Sequence, residues 1–120
     1  MLNTEEKTRV VVAALEAVKA SNNTVIDTSK LSSMFERMVI ASANSTRQTR
    51  SLADNVAARL KEIGEVIYGR EGEASGEWIL VDLGEVLVHV MQPAVRDYYN
   101  LEELWNRAQV GRPRPAKPPK

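Results

Sequence analysis

The sequence predicts one α/β domain, a mixed β-sheet with helices packed against it. Three observations predict it. Residues 5–21 and 45–64 carry apolar side chains at helical spacing. Short β-branched runs lie between and after them. Two strongly β segments, Trp78–Asp82 and Glu85–Met91, are joined closely enough to require an antiparallel hairpin. The order along the chain is α-β-β-α-β-β-β-α. At 120 residues there is material for a single core. Residues 1–110 are assigned to the domain and 111–120 to a tail.

In the first helix Val11, Leu15 and Val18 recur at spacings of four and three, with Ala14 on the same face. Asn3 and Glu6 form a capping pair at its start, and Ser21, Asn22 and Asn23 break the pattern. Thr24–Asp27 reads as a short strand, followed by a turn-rich stretch to Ser33. Arg37–Ala43 contains Met38-Val39-Ile40-Ala41, an apolar run suited to a strand covered on both faces. Ser45 to Gln48 fits a capping box, Leu52, Val56, Leu60 and Ile63 follow at helical spacing, and Gly64 sits at the C-terminal cap. Val66-Ile67-Tyr68 is a strand candidate, and Gly69–Gly76 a loop. After the hairpin, Pro93 opens a helix with Val95, Tyr98 and Tyr99. Asn100 caps a last helical segment carrying Leu101, Leu104 and Trp105. From Gly111 onward four prolines in ten residues predict a disordered end.

The composition removes several function classes. With no cysteine there is no disulfide framework or thiolate metal site, and a reducing cytosol is the expected compartment. No apolar run approaches the ~20 residues of a spanning helix. Residues Met1–Lys7 lack an apolar signal core, and Glu5 and Glu6 argue against a transit peptide. His89 is the only histidine, so neither a zinc site nor a hydrolase triad is announced, and no glycine-rich phosphate loop is present. No cofactor is expected. Asp82 and Glu85 flank the hairpin turn, where carboxylates either hold magnesium for phosphoryl transfer or serve turn geometry. The missing phosphate-holding elements favour the latter. The net charge of zero hides an asymmetry. Arg112, Arg114, Lys117 and Lys120 make the tail basic, leaving 12 cations against 16 acids before it. Such a tail is a solvated end or a weak RNA contact. Four charges without a stacking aromatic favour the solvated end.

The hairpin holds the most informative residues. Val86, Val88 and Val90 mark a core face, and Leu87, His89 and Met91 point the other way. With Trp78 and Leu80 across the turn, that second face is either covered or a protein-binding patch.

Gly76-Glu-Trp-Ile-Leu-Val-Asp-Leu-Gly-Glu-Val-Leu-Val-His-Val-Met91 closely resembles the signature hairpin of the ribosomal silencing factors, the Iojap-like family. Arg96, Tyr98, Tyr99 and Leu101-Glu-Glu-Leu-Trp105 resemble that family's C-terminal signature. Ser45–Val56 is similar to its central helix, and Gly69–Gly72 to its loop before the hairpin; the resemblance spans residues 8–106. Two departures are Glu36-Arg37-Met38, where the family usually has an aromatic pair, and Ala43, where it usually has glycine. The resemblance implies a nucleotidyltransferase-like fold without catalytic elements. It implies a non-enzymatic cytoplasmic repressor that binds ribosomal protein fourteen of the large ribosomal subunit and blocks joining of the small subunit. It also implies a homodimer when free. The expected contact core is Trp78, Leu83, His89 and Met91, with Asp82 and Tyr98 supplying polar contacts.

Overall fold

The computed structural model describes residues 2–104. Five strands form one mixed sheet: β1 (Ser21–Asp27), β2 (Arg37–Ser42), β3 (Gly69–Glu71), β4 (Trp78–Asp82) and β5 (Val86–Met91). Their order is β1-β2-β5-β4-β3. The β2–β5 pair is parallel and the other pairs are antiparallel. Helices α1 (Thr4–Ala17), α2 (Thr46–Glu62) and α3 (Pro93–Tyr99) complete the fold. The α/β class predicted above is the observed one.

Alternation along the strands divides the core in two. Val39, Ala41, Ile79, Val81, Val86, Val88 and Val90 face one way and pack with Val11 and Leu15 of α1 and Leu52, Val56 and Leu60 of α2. Ile26, Met38, Ile40 and Met91 face the other way and pack with Phe35, Trp78, Val95 and Leu101. The valines of β5 therefore mark the main core, as their spacing predicts. The second face is covered by α3 and Leu101 at one end, while Leu80 and Leu87 on it remain half-buried. β2 is covered on both sides, which explains its unbroken apolar run.

The first cap is as expected, and the second is so only in part. The Asn3 side chain accepts from the Glu6 N–H, and Glu6 reaches back to the Asn3 N–H. Ser45 Oγ accepts from the Gln48 N–H at 3.1 Å, but Gln48 returns to the Asn44 N–H at 2.7 Å rather than to Ser45.

Four local expectations are corrected. First, α1 ends at Ala17, because Lys19 adopts a left-handed φ of 66° and turns the chain. Second, Ser21–Asn23 do not end structure but begin β1, where an irregularity in register between Ser21 and Thr24 absorbs the left-handed Asn22. Third, Val66–Tyr68 is not a strand; β3 lies three residues later, within the expected loop. Pairing with the free edge of β4 sets its place: Gly69 to Glu71 oppose Asp82 to Leu80, after a first bond from Tyr68 N to Asp82 O at 2.8 Å. Fourth, Glu85 belongs to the hairpin turn, where its carbonyl accepts from the Glu36 and Arg37 N–H groups. Asn100, left-handed at φ 48°, ends α3, and residues 101–104 are helical after it. Trp105 and the 111–120 tail lie outside the described residues.

Candidate functional site

The second face of the hairpin carries an aromatic cluster. Trp78 is half-buried on β4, with its ring 4.8 Å from Tyr99 and tilted by 50°. Tyr98 meets Tyr99 edge-on at 5.0 Å. Tyr98 is 81% exposed and Tyr99 53%, although both belong to a helix that packs on the sheet. Two hollows flank Trp78. One lies toward α3, with Glu77, Val95, Tyr98 and Tyr99 in its lining. The other lies toward β3, lined by Glu71, Gly72, Leu80 and His89. Gly72 is required for the second hollow. It has a left-handed φ of 93°, and a Cβ there would sit 2.0 Å from the Trp78 carbonyl oxygen.

Trp78 is oriented by His89, which lies diagonally across the ladder on β5, opposite Leu80. Trp78 Nε1–H donates to His89 Nδ1 at 2.9 Å. That bond places the proton of the neutral imidazole on Nε2, which is buried without a partner among the described residues. Burial pushes the His89 pKa from 6.5 down to about 4. Between those values the unfolded chain binds a proton that the folded chain refuses, so stability rises with pH. Urea denaturation is expected to show a loss of about 1.5 kcal/mol between about pH 6.5 and pH 5 from this group. His89→Gln should remove that loss; a variant with wild-type pH dependence there would refute the assignment.

The hairpin tip is fastened to α1. Lys7 Nζ donates to Leu83 O at 3.2 Å and to Glu85 Oε1 at 2.8 Å, and lies 3.3 Å from Glu65 Oε1. Burial opposes the Lys7 charge, but Glu85 and Glu65 outweigh it and its pKa is raised. Glu85 is held below the ordinary carboxylate range, first by its bond to Lys7. Glu65 is lowered first by the Leu2 N–H. Asp82 Oδ1 accepts from the Gly84 N–H at 2.9 Å and shapes the turn. Asp82 and Glu85 thus each serve a neighbour within the fold. Among the described residues no cluster of three or more His, Asp or Glu side chains is placed to hold a metal ion.

Six residues were expected to make contact. Trp78 and Tyr98 lie together on an accessible surface. Asp82 is half-buried farther along β4. His89 is 8% exposed and supports Trp78 from beneath. Leu83 and Met91 are fully buried, and their expected place at a contact surface is corrected. Leu83 folds back from the turn into the main core, and Met91 lies in the second cluster beneath Val95 and Leu101. Sequence reasoning missed Glu77 and Glu71, and it did not single out Tyr99. The hollows join residues from four elements, β3, β4, β5 and α3, and only the adjacency of Tyr98 and Tyr99 hinted at one wall.

The geometry defines a class: a small α/β domain whose distinctive surface is an accessible aromatic cluster on a β-hairpin and the helix that follows it. Comparison with known proteins gives the particular family. The family model described as "Ribosomal silencing factor during starvation" matches residues 2–119. A ribosomal silencing factor from Chromobacterium violaceum is 52% identical over 101 residues, covering 84% of this chain and 83% of its own length. A crystal structure of a protein from the same organism superposes with a TM-score of 0.85 at 47% identity, covering 96% of this chain and 92% of that one. A more distant mouse relative, named "Mitochondrial assembly of ribosomal large subunit protein 1", is 27% identical over 99 residues, covering 80% of this chain and 43% of its own length. The chain belongs to the ribosomal silencing factor family, and its work is regulation of translation at the ribosome.

Proposed function

We propose that this protein is a non-enzymatic translational repressor. It binds the large ribosomal subunit through ribosomal protein fourteen and blocks joining of the small subunit by occupying its place. The observation that carries the reading is the accessible Trp78–Tyr98–Tyr99 cluster. An aromatic cluster of this kind, seated on a rigid sheet, is the anatomy of a protein-binding hot spot. Family membership supplies the ribosome as the setting. The mouse relative's name supports the large subunit as the partner. The same reading makes the free protein a cytoplasmic homodimer.

The test is co-sedimentation with purified large and small subunits, with isolated ribosomal protein fourteen as competitor. Retention by large subunits that the competitor abolishes is the expected result. Equal retention by both subunits, or none, would defeat the proposal.

A further inference from the structure

The two hollows beside Trp78 share one chemical pattern. Each has an aromatic or apolar floor, one glutamate at its edge, and no lysine or arginine in its lining. Glu77 and Glu71 are both exposed, and neither joins an ion pair among the described residues. Three cations on the adjoining elements are already engaged. Arg50 donates to the carbonyls of Glu73 and Ala74, Arg70 pairs with Asp54 and Glu73, and Arg96 pairs with Glu102. The fold therefore leaves a tryptophan between two glutamates that no lysine or arginine pairs with among the described residues.

That pattern selects an occupant. A phosphate backbone would be repelled by both carboxylates. A neutral apolar segment would cover them without replacing their water, which is unfavourable. A long cationic side chain satisfies both needs: its methylene stem lies along the aromatic surface while its charged head reaches the carboxylate. The ring faces of tryptophan and tyrosine attract the same charge.

We infer that the occupant of this face is a basic protein segment presenting two arginine or lysine side chains, one on each side of Trp78, with their charged heads at Glu77 and Glu71. The inference rests on the proposal that this face docks on the ribosome and names the partner's chemistry there. It makes Glu71 and Glu77 determinants of specificity, since a partner surface without the paired cations would bury both carboxylates uncompensated.

Wild type, Glu71→Gln, Glu77→Gln and the double variant would be titrated onto purified large ribosomal subunits across a potassium chloride series at fixed magnesium. Both side chains are exposed and unpaired, so thermal unfolding should match wild type in all variants. The double variant should bind about tenfold more weakly at low salt, and its affinity should fall less steeply as salt rises. Equal affinity and an equal salt slope would overturn the inference while leaving ribosome docking intact. Tighter binding by the double variant would also overturn it, by revealing a phosphate partner. Failure of wild type to bind would remove the docking proposal and this inference together.

Discussion

Alanine in place of Arg96 is expected to lower the unfolding free energy by about 3–4 kcal/mol. Arg96 is 8% exposed and binds four elements of structure together. From α3 its Nε and one terminal nitrogen bond Glu102 Oε2 at 3.0 and 2.6 Å. The same terminal nitrogen donates to Thr24 Oγ1 of β1 at 3.0 Å, and the other donates to Ser42 Oγ of β2 at 2.8 Å. Removing the guanidinium leaves a carboxylate and two hydroxyls without their donor beneath a helix. Arg96→Lys should recover only part of the loss, because an ammonium cannot reproduce the planar fork. Urea unfolding of the three proteins checks this. Wild-type stability in Arg96→Ala would mean that the network contributes nothing net. The consequence for function is indirect: Tyr98 and Tyr99 follow Arg96 on the same short helix, so a loosened α3 also loosens one wall of the docking face.

Trp78→Ala is expected to weaken binding to large subunits by at least ~30-fold, the loss typical of a central aromatic anchor. Trp78 also packs in the second core cluster and bonds His89, so truncation will cost stability as well. Tyr98→Ala separates the two effects. Its ring is 81% exposed and touches Tyr99 edge-on, so its removal should leave unfolding nearly unchanged while still reducing retention severalfold. Co-sedimentation under conditions where both variants are folded reads the result. Wild-type retention of folded Trp78→Ala would exclude Trp78 as the anchor.

The hairpin was legible because its information is local. Alternation of Val86, Val88 and Val90 determines which side of β5 enters the main core, whatever lies above it. The fate of the other side depends on distant segments. Met91 is buried because Val95 and Leu101 return over it, and Leu83 because the turn folds back under α1, fastened by Lys7. Neither event leaves a trace at Leu83 or Met91 themselves. The displaced β3 has a similar cause. Val66, Ile67 and Tyr68 have strong β propensity, yet register is set by the edge of β4, which pairs with Gly69–Glu71. Of the proposed docking face, Trp78 and Tyr98 are the members that the sequence suggested, while the flanking glutamates are not. Glu71 and Glu77 look like ordinary solvated acids until the fold puts them on opposite sides of one tryptophan.

The most direct test of the central claim is subunit joining itself. Purified large and small subunits would be mixed at a magnesium concentration that favours association, with light scattering recorded as this protein is added to the large subunit first. The account predicts that joining falls in proportion to occupied large subunits and that Trp78→Ala requires a correspondingly higher concentration. Undiminished joining with the large subunit saturated by the protein would contradict it.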